Sequence, residues 1–97
     1  MELELDVTGV NNINEFYEKL LELLGSPPWH GHSLNALIDS IVYGGINEIN
    51  HPFSINIKNI ETLNKPIAGD IVHEMNTLNG FSTGSIEKGA NFTIRWD

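Results

Sequence analysis

The chain has 97 residues, no cysteine, and thirteen acidic against five basic side chains, a formal net charge of -8. That length predicts a single domain over 1–97 with a modest core, and the missing thiols exclude a disulfide framework or a thiolate metal site. The charge argues against nucleic-acid binding, which sets Lys and Arg against phosphates; it suits a basic protein partner, and it also serves simple solubility.

The elements follow in order. Leu3, Leu5 and Val7 alternate with Glu2, Glu4 and Asp6, the pattern of a half-buried strand whose charges protect its exposed side. Thr8 to Asn11 turns the chain. Asn12 with Glu15 three residues on reads as a capping-box variant opening a helix. Ile13, Phe16, Tyr17, Leu20, Leu23 and Leu24 form its apolar stripe, Gly25 stops it, and Pro27-Pro28 prevents continuation. A second helix begins after Ser33. Gly44-Gly45 to Asn50 is a loop. Phe53, Ile55 and Ile57 alternate with Ser54, Asn56 and Lys58 in a second strand. Asn59 to Lys65 is a short connection with room for one helical turn. Pro66 suits the first helical position of a third helix, whose buried side is Ile67, Ile71, Met75 and Leu78, with Val72 beside them and Gly80 at the end. Phe81 to Ala90 is a Gly-, Ser- and Thr-rich loop. Phe92, Ile94 and Trp96 alternate through the last strand.

The order is β-α-α-β-α-β. Strands separated by helices pair in parallel through right-handed crossovers, so an α/β fold is expected. A parallel sheet covered on both faces would read as continuous apolar runs; alternation in all three strands instead predicts helices mainly on one face and a partly wet opposite face. A mixed sheet in an α+β domain is the alternative. No apolar run reaches membrane-spanning length, and the acidic start of the chain lacks the layout of a secretory leader, so a cytoplasmic protein without membrane association is expected.

The densest information lies in Trp29–Tyr43. Ser33 is a good N-cap, and Leu34, Leu37, Ile38 and Ile41 fall on one helical face. At about 100° per residue, Asn35 and Asp39 share a wetter flank, which Tyr43 continues one turn later. The helix thus has an inside for the core and an outside carrying Asp39, beside a loop carrying Trp29, His30 and His32. Gly31 suits a backbone shape that other residues resist and allows a partner to approach closely.

The run Pro28-Trp29-His30-Gly31-His32-Ser33-Leu34-Asn35-Ala36-Leu37-Ile38-Asp39-Ser40-Ile41 resembles the signature of the barstar family, the small intracellular inhibitors of secreted ribonucleases. Gly31, Leu34, Ala36, Leu37 and Asp39 all fall in step with it; elsewhere the similarity is mainly one of element order. The resemblance implies a three-stranded parallel sheet packed by helices. It also implies an immunity protein that binds the active site of a basic nuclease toxin, most simply a ribonuclease, with no cofactor and no catalysis of its own. The alternative is a barstar-fold interaction module with a non-nuclease partner.

The partner-binding candidates are Trp29, His30, Gly31, His32, Asn35, Ile38, Asp39 and Tyr43. A helix-flank carboxylate such as Asp39 receives Arg or Lys through strong charge-assisted hydrogen bonds. Asn35 stands where many family members carry an acid, and an amide cannot neutralise a cation. Ile38 stands where the family often has an aromatic; by its angle it is either core or interface, the two readings standing equal. Trp29 is either an interface anchor or a lid folded onto the core. The imidazoles of His30 and His32 are expected to donate hydrogen bonds to the nuclease. His-x-His can begin a zinc site, but no third and fourth ligand follow at supporting spacing, and no metal is expected. In the family a second acid on the third helix completes the contacts; here Thr77 falls near that step, with Glu74 and Glu87 as other sources. Neither a Gly-x-Ser-x-Gly elbow nor a phosphate-binding glycine loop occurs, and Ser33 is better explained as a cap than as a nucleophile.

Overall fold

The computed structural model describes residues 1–43, 46–49, 52–80 and 92–97, apart from the side chains of Val42 and Tyr43. Strand β1 is Glu2–Asp6, helix α1 Ile13–Leu23, helix α2 Leu34–Tyr43 and strand β2 Phe53–Lys58; a 3-10 turn at Ile60–Thr62 leads to helix α3 at Lys65–Asn79 and strand β3 at Phe92–Trp96. The sheet has the order β1-β2-β3 and is parallel throughout, with Leu5 opposite Ile57 and Ile55 opposite Ile94. The mixed-sheet alternative therefore falls, and the α/β order expected from the sequence stands.

The alternation sorts the two faces of the sheet. Leu5, Val7, Phe53, Ile55, Ile57, Phe92 and Ile94 are buried in one core with Phe16, Tyr17, Leu20, Leu37, Ile71, Met75 and Leu78 from the three helices. On the opposite face stand Glu2, Glu4 and Asp6, then Ser54, Asn56 and Lys58, then Thr93, Arg95 and Asp97. Lys58 Nζ bridges Glu4 at 3.0 Å and Asp97 at 3.5 Å, and Arg95 reaches Glu2 at 3.9 Å. Glu4 holds the Lys58 ammonium above its ordinary value. These exposed pairs contribute little stability; they keep the sheet's open face wet and charged.

Each helix is started by a polar side chain. Asn12 Oδ1 accepts from Glu15 N–H at 2.9 Å, while Glu15 returns to the N–H of Asn11, not Asn12 as a strict capping box would have it. Asn64 Oδ1 caps α3 by accepting from Ile67 N–H at 3.1 Å, so the helix starts at Lys65 and Pro66 lies one place inside the expected position. At the end of α1, Gly25 adopts φ +67, and Ser26 N–H and Gly25 N–H return to Leu21 O and Glu22 O, a Schellman closure. A Cβ on Gly25 would lie 2.6 Å from Glu48 Cβ, because Glu48 and Ile49 donate their N–H groups to Gly25 O and Leu24 O. The end of α1 thereby anchors segment 46–49 close to the loop that enters α2.

Candidate functional site

The loop between α1 and α2 is built to hold Trp29 outward. His30 N–H donates to Pro27 O at 3.0 Å, closing a turn with Pro28 and Trp29 at its two corners. Pro28 presets the backbone of the first corner, and Trp29 at the second is 73% exposed. The lid reading of Trp29 is thus excluded: it does not fold onto the core.

Below the turn lies a buried polar row. His30 is only 6% exposed, and its Nδ1 lies 2.7 Å from Gly31 O. A carbonyl only accepts, so Nδ1 carries a proton. Nε2 lies 2.8 Å from Ser40 Oγ on α2, which also contacts Leu37 O at 3.1 Å and accepts from Asn47 Nδ2 at 3.1 Å. Ser26 hydrogen-bonds Asn47 Oδ1. Ser40 and Asn47 are buried, and no buried side-chain nitrogen or oxygen among the described residues lacks a partner. This row ties the loop, α2 and segment 46–49 together.

Above it is a shallow dish of about 170 Å³ lined by Trp29, His30, Gly31, Ala36, Asp39 and Ile46. Asp39 and Ile46 in its lining are both exposed. Two larger hollows, of about 420 and 400 Å³, lie elsewhere among mostly charged surface side chains and hold none of the motif residues. The dish combines an exposed indole, an apolar wall and a carboxylate, the chemistry of a cation-accepting protein contact.

The remaining candidates distribute around it. Ser33 caps α2, its Oγ accepting from Ala36 N–H at 3.2 Å. Asn35 is exposed one turn before Asp39. Ile38 is half-buried: it packs against the core and leaves part of its side chain open. His32 is exposed, with Nδ1 2.8 Å from Asn14 Oδ1 of α1. The Tyr43 side chain and Glu87 lie outside the described residues. Two expectations need correction. Both His30 nitrogens are engaged internally, so that ring lines the dish but donates nothing outward. Gly31 does not adopt a left-handed backbone; a Cβ there would sit 3.4 Å from Ala36 Cβ, so its smallness matters at the loop–helix contact instead.

On α3, Thr77 is exposed and its hydroxyl donates back to His73 O at 2.9 Å. Glu74 is half-buried and accepts from the Tyr17 hydroxyl of α1. That carboxylate is therefore committed to holding two helices together. Ser40 and Asn47 were absent from the sequence-based candidates. The signal for Ser40 was available: it lies seven residues after Ser33 on α2, beside the apolar positions Leu37 and Ile41.

These features define a small parallel α/β domain whose motif-bearing loop and second helix share one open surface. The chain belongs to the barstar family: the family model described as barstar (barnase inhibitor) matches residues 1–95. A search of curated proteins finds no match.

Proposed function

We propose that this protein is an intracellular immunity protein that binds a cognate ribonuclease toxin and blocks its active site. The observation that carries this reading is the placement of Trp29 and Asp39 on one dish, beside Ile46. A ribonuclease groove is cationic because it receives RNA phosphates. Asp39 substitutes for a phosphate against its Arg or Lys side chains, and the indole covers the contact and keeps water from it. The net charge of -8 steers a basic enzyme toward this surface, so association slows as salt rises. RNA is excluded because the inhibitor occupies the groove; no bond is made or broken by the inhibitor.

The second reading, an interaction module with a non-nuclease partner, draws on the acids this surface lacks. Asn35 supplies an amide, and Glu74 is engaged with Tyr17. With Asp39 as the main carboxylate on the motif helix, recognition of a strongly cationic groove rests on fewer charges.

Barnase, the nuclease in the family's description, and any nuclease found encoded beside this chain's own gene are the probes. RNA cleavage by at least one of them should fall stoichiometrically on addition of the protein. Asp39→Ala should weaken inhibition about thirtyfold or more while leaving the circular dichroism spectrum unchanged. Full activity of every nuclease tested in the presence of excess protein would overturn the reading in favour of the interaction module.

A further inference from the structure

His32 sits one residue past Gly31, on the side of the motif loop that faces α1. Its surroundings fix which nitrogen carries the proton. Asn14 Nδ2 donates to Glu18 Oε1 at 3.2 Å, one turn along α1, and a carboxylate only accepts. The amide of Asn14 is thereby oriented with its oxygen toward the loop. That oxygen lies 2.8 Å from His32 Nδ1, and an amide oxygen also only accepts. Nδ1 is therefore the donor. In the neutral ring the lone pair is left on Nε2, at the far end of an exposed imidazole.

We infer that His32 is a specificity-determining residue, oriented by Asn14 and Glu18 of α1 so that Nε2 accepts a hydrogen bond from a partner N–H. This rests on the inhibitor reading above and extends its surface beyond the dish to the start of α1. The expectation that this imidazole donates outward is reversed: its donor is used inward on Asn14. His30 and His32 thus divide the work. The buried ring holds the loop to α2, and the exposed ring offers an acceptor where the loop meets α1. Such an acceptor selects a partner N–H donor at that position, from guanidinium, ammonium or main chain.

Two measurements test it. In the free protein, long-range proton–nitrogen NMR of the neutral ring should show the proton on Nδ1 and a bare Nε2. Asn14→Ala should abolish that preference, since the hydrogen bond at one nitrogen sets the state of the other. In barnase inhibition, His32→Asn keeps the donor to Asn14 but lacks the outward acceptor, and should inhibit about three- to tenfold less tightly. His32→Gln restores an acceptor at the reach of Nε2 and should stay within about threefold of the unsubstituted protein. A proton on Nε2 in the free protein, or undiminished inhibition by His32→Asn, overturns the inference. If the unsubstituted protein does not inhibit barnase, the substitutions are compared on whichever nuclease it does inhibit; if it inhibits none, the inhibitor reading falls and the NMR result alone decides the ring assignment.

Discussion

Asn79 and Ile94 form a reciprocal pair: the Asn79 amide donates to Ile94 O at 3.0 Å and accepts from Ile94 N–H at 2.9 Å. Ile94 lies mid-way along β3, an edge strand. Asp97 N–H bonds Ile57 O, so the odd-numbered residues of β3 face β2 and Ile94 turns its main chain outward. The last residue of α3 therefore stands in for the next strand at one position and blocks addition of a foreign one.

Asn79→Ala should remove both bonds and leave two half-buried main-chain groups without their partner. The expected loss is about 1–3 kcal/mol, read as a lower urea midpoint, together with greater self-association in sedimentation at high concentration. Asn79→Asp should fall between, because a carboxylate accepts from Ile94 N–H but cannot donate to its carbonyl. An Asn79→Ala protein that melts and sediments as the parent does would show that the edge needs no such guard.

The Tyr17–Glu74 pair makes a pH prediction. Burial, reinforced by the Glu74 carboxylate beside it, pushes the Tyr17 hydroxyl well above the usual phenol range. The folded state therefore holds this proton more tightly than the unfolded chain, whose phenol titrates near about 10. Its contribution is fully present below that pH and is lost as pH rises toward the folded-state value. Stability should thus decline above about pH 10, and Tyr17→Phe should flatten that decline. At neutral pH the same substitution should cost about 1 kcal/mol, since Glu74 loses its donor. Denaturant melts of both proteins from pH 7 to 11 measure it; parallel curves would remove Tyr17 as the source.

How much of this was legible beforehand depends on the reach of each interaction. Strict alternation in Leu3–Val7, Phe53–Lys58 and Phe92–Trp96 encodes a sheet with one wet face, because side chains in a strand point to opposite faces in turn. Ser33 and Asn12 were readable as caps because a cap acts within three residues. Leu21 is buried outside the expected stripe, since the helix is covered on a broader arc, while Leu23 within that stripe is half-buried and packs against the core. His30 could not be read correctly. Its partners are Gly31 O and Ser40, and Ser40 is in turn held by Asn47, from a segment brought close only by the closure at Gly25. The Glu74–Tyr17 and Asn79–Ile94 pairs are separated by 57 and 15 residues, and no local pattern announces them. Lid and anchor are equally compatible with the sequence around Trp29, because a turn corner, not its neighbours' hydropathy, decides which way it points.

The same row of polar contacts separates a residue that touches the partner from one that positions those that do. His30 is the clearest case, because its ring links the Trp29 turn to α2 while both nitrogens are engaged. His30→Phe fits a similar flat ring but removes both bonds, leaving the Gly31 carbonyl without its donor and Ser40 without one partner. The expected cost is about 1–3 kcal/mol of stability. The loop should also lose its fixed attitude, so Trp29 fluorescence should shift and quench differently with iodide while Trp96, on β3, is unaffected; a Trp96→Phe background isolates the signal. Inhibition of barnase should weaken through slower association, because the Trp29 turn must be reordered at each encounter. Asp39→Ala should instead act mainly on dissociation, since it deletes a contact made in the complex. If His30→Phe leaves both the Trp29 emission and the association rate unchanged, the polar row is only a core feature and the outward attitude of Trp29 is set by Pro27, Pro28 and the turn alone.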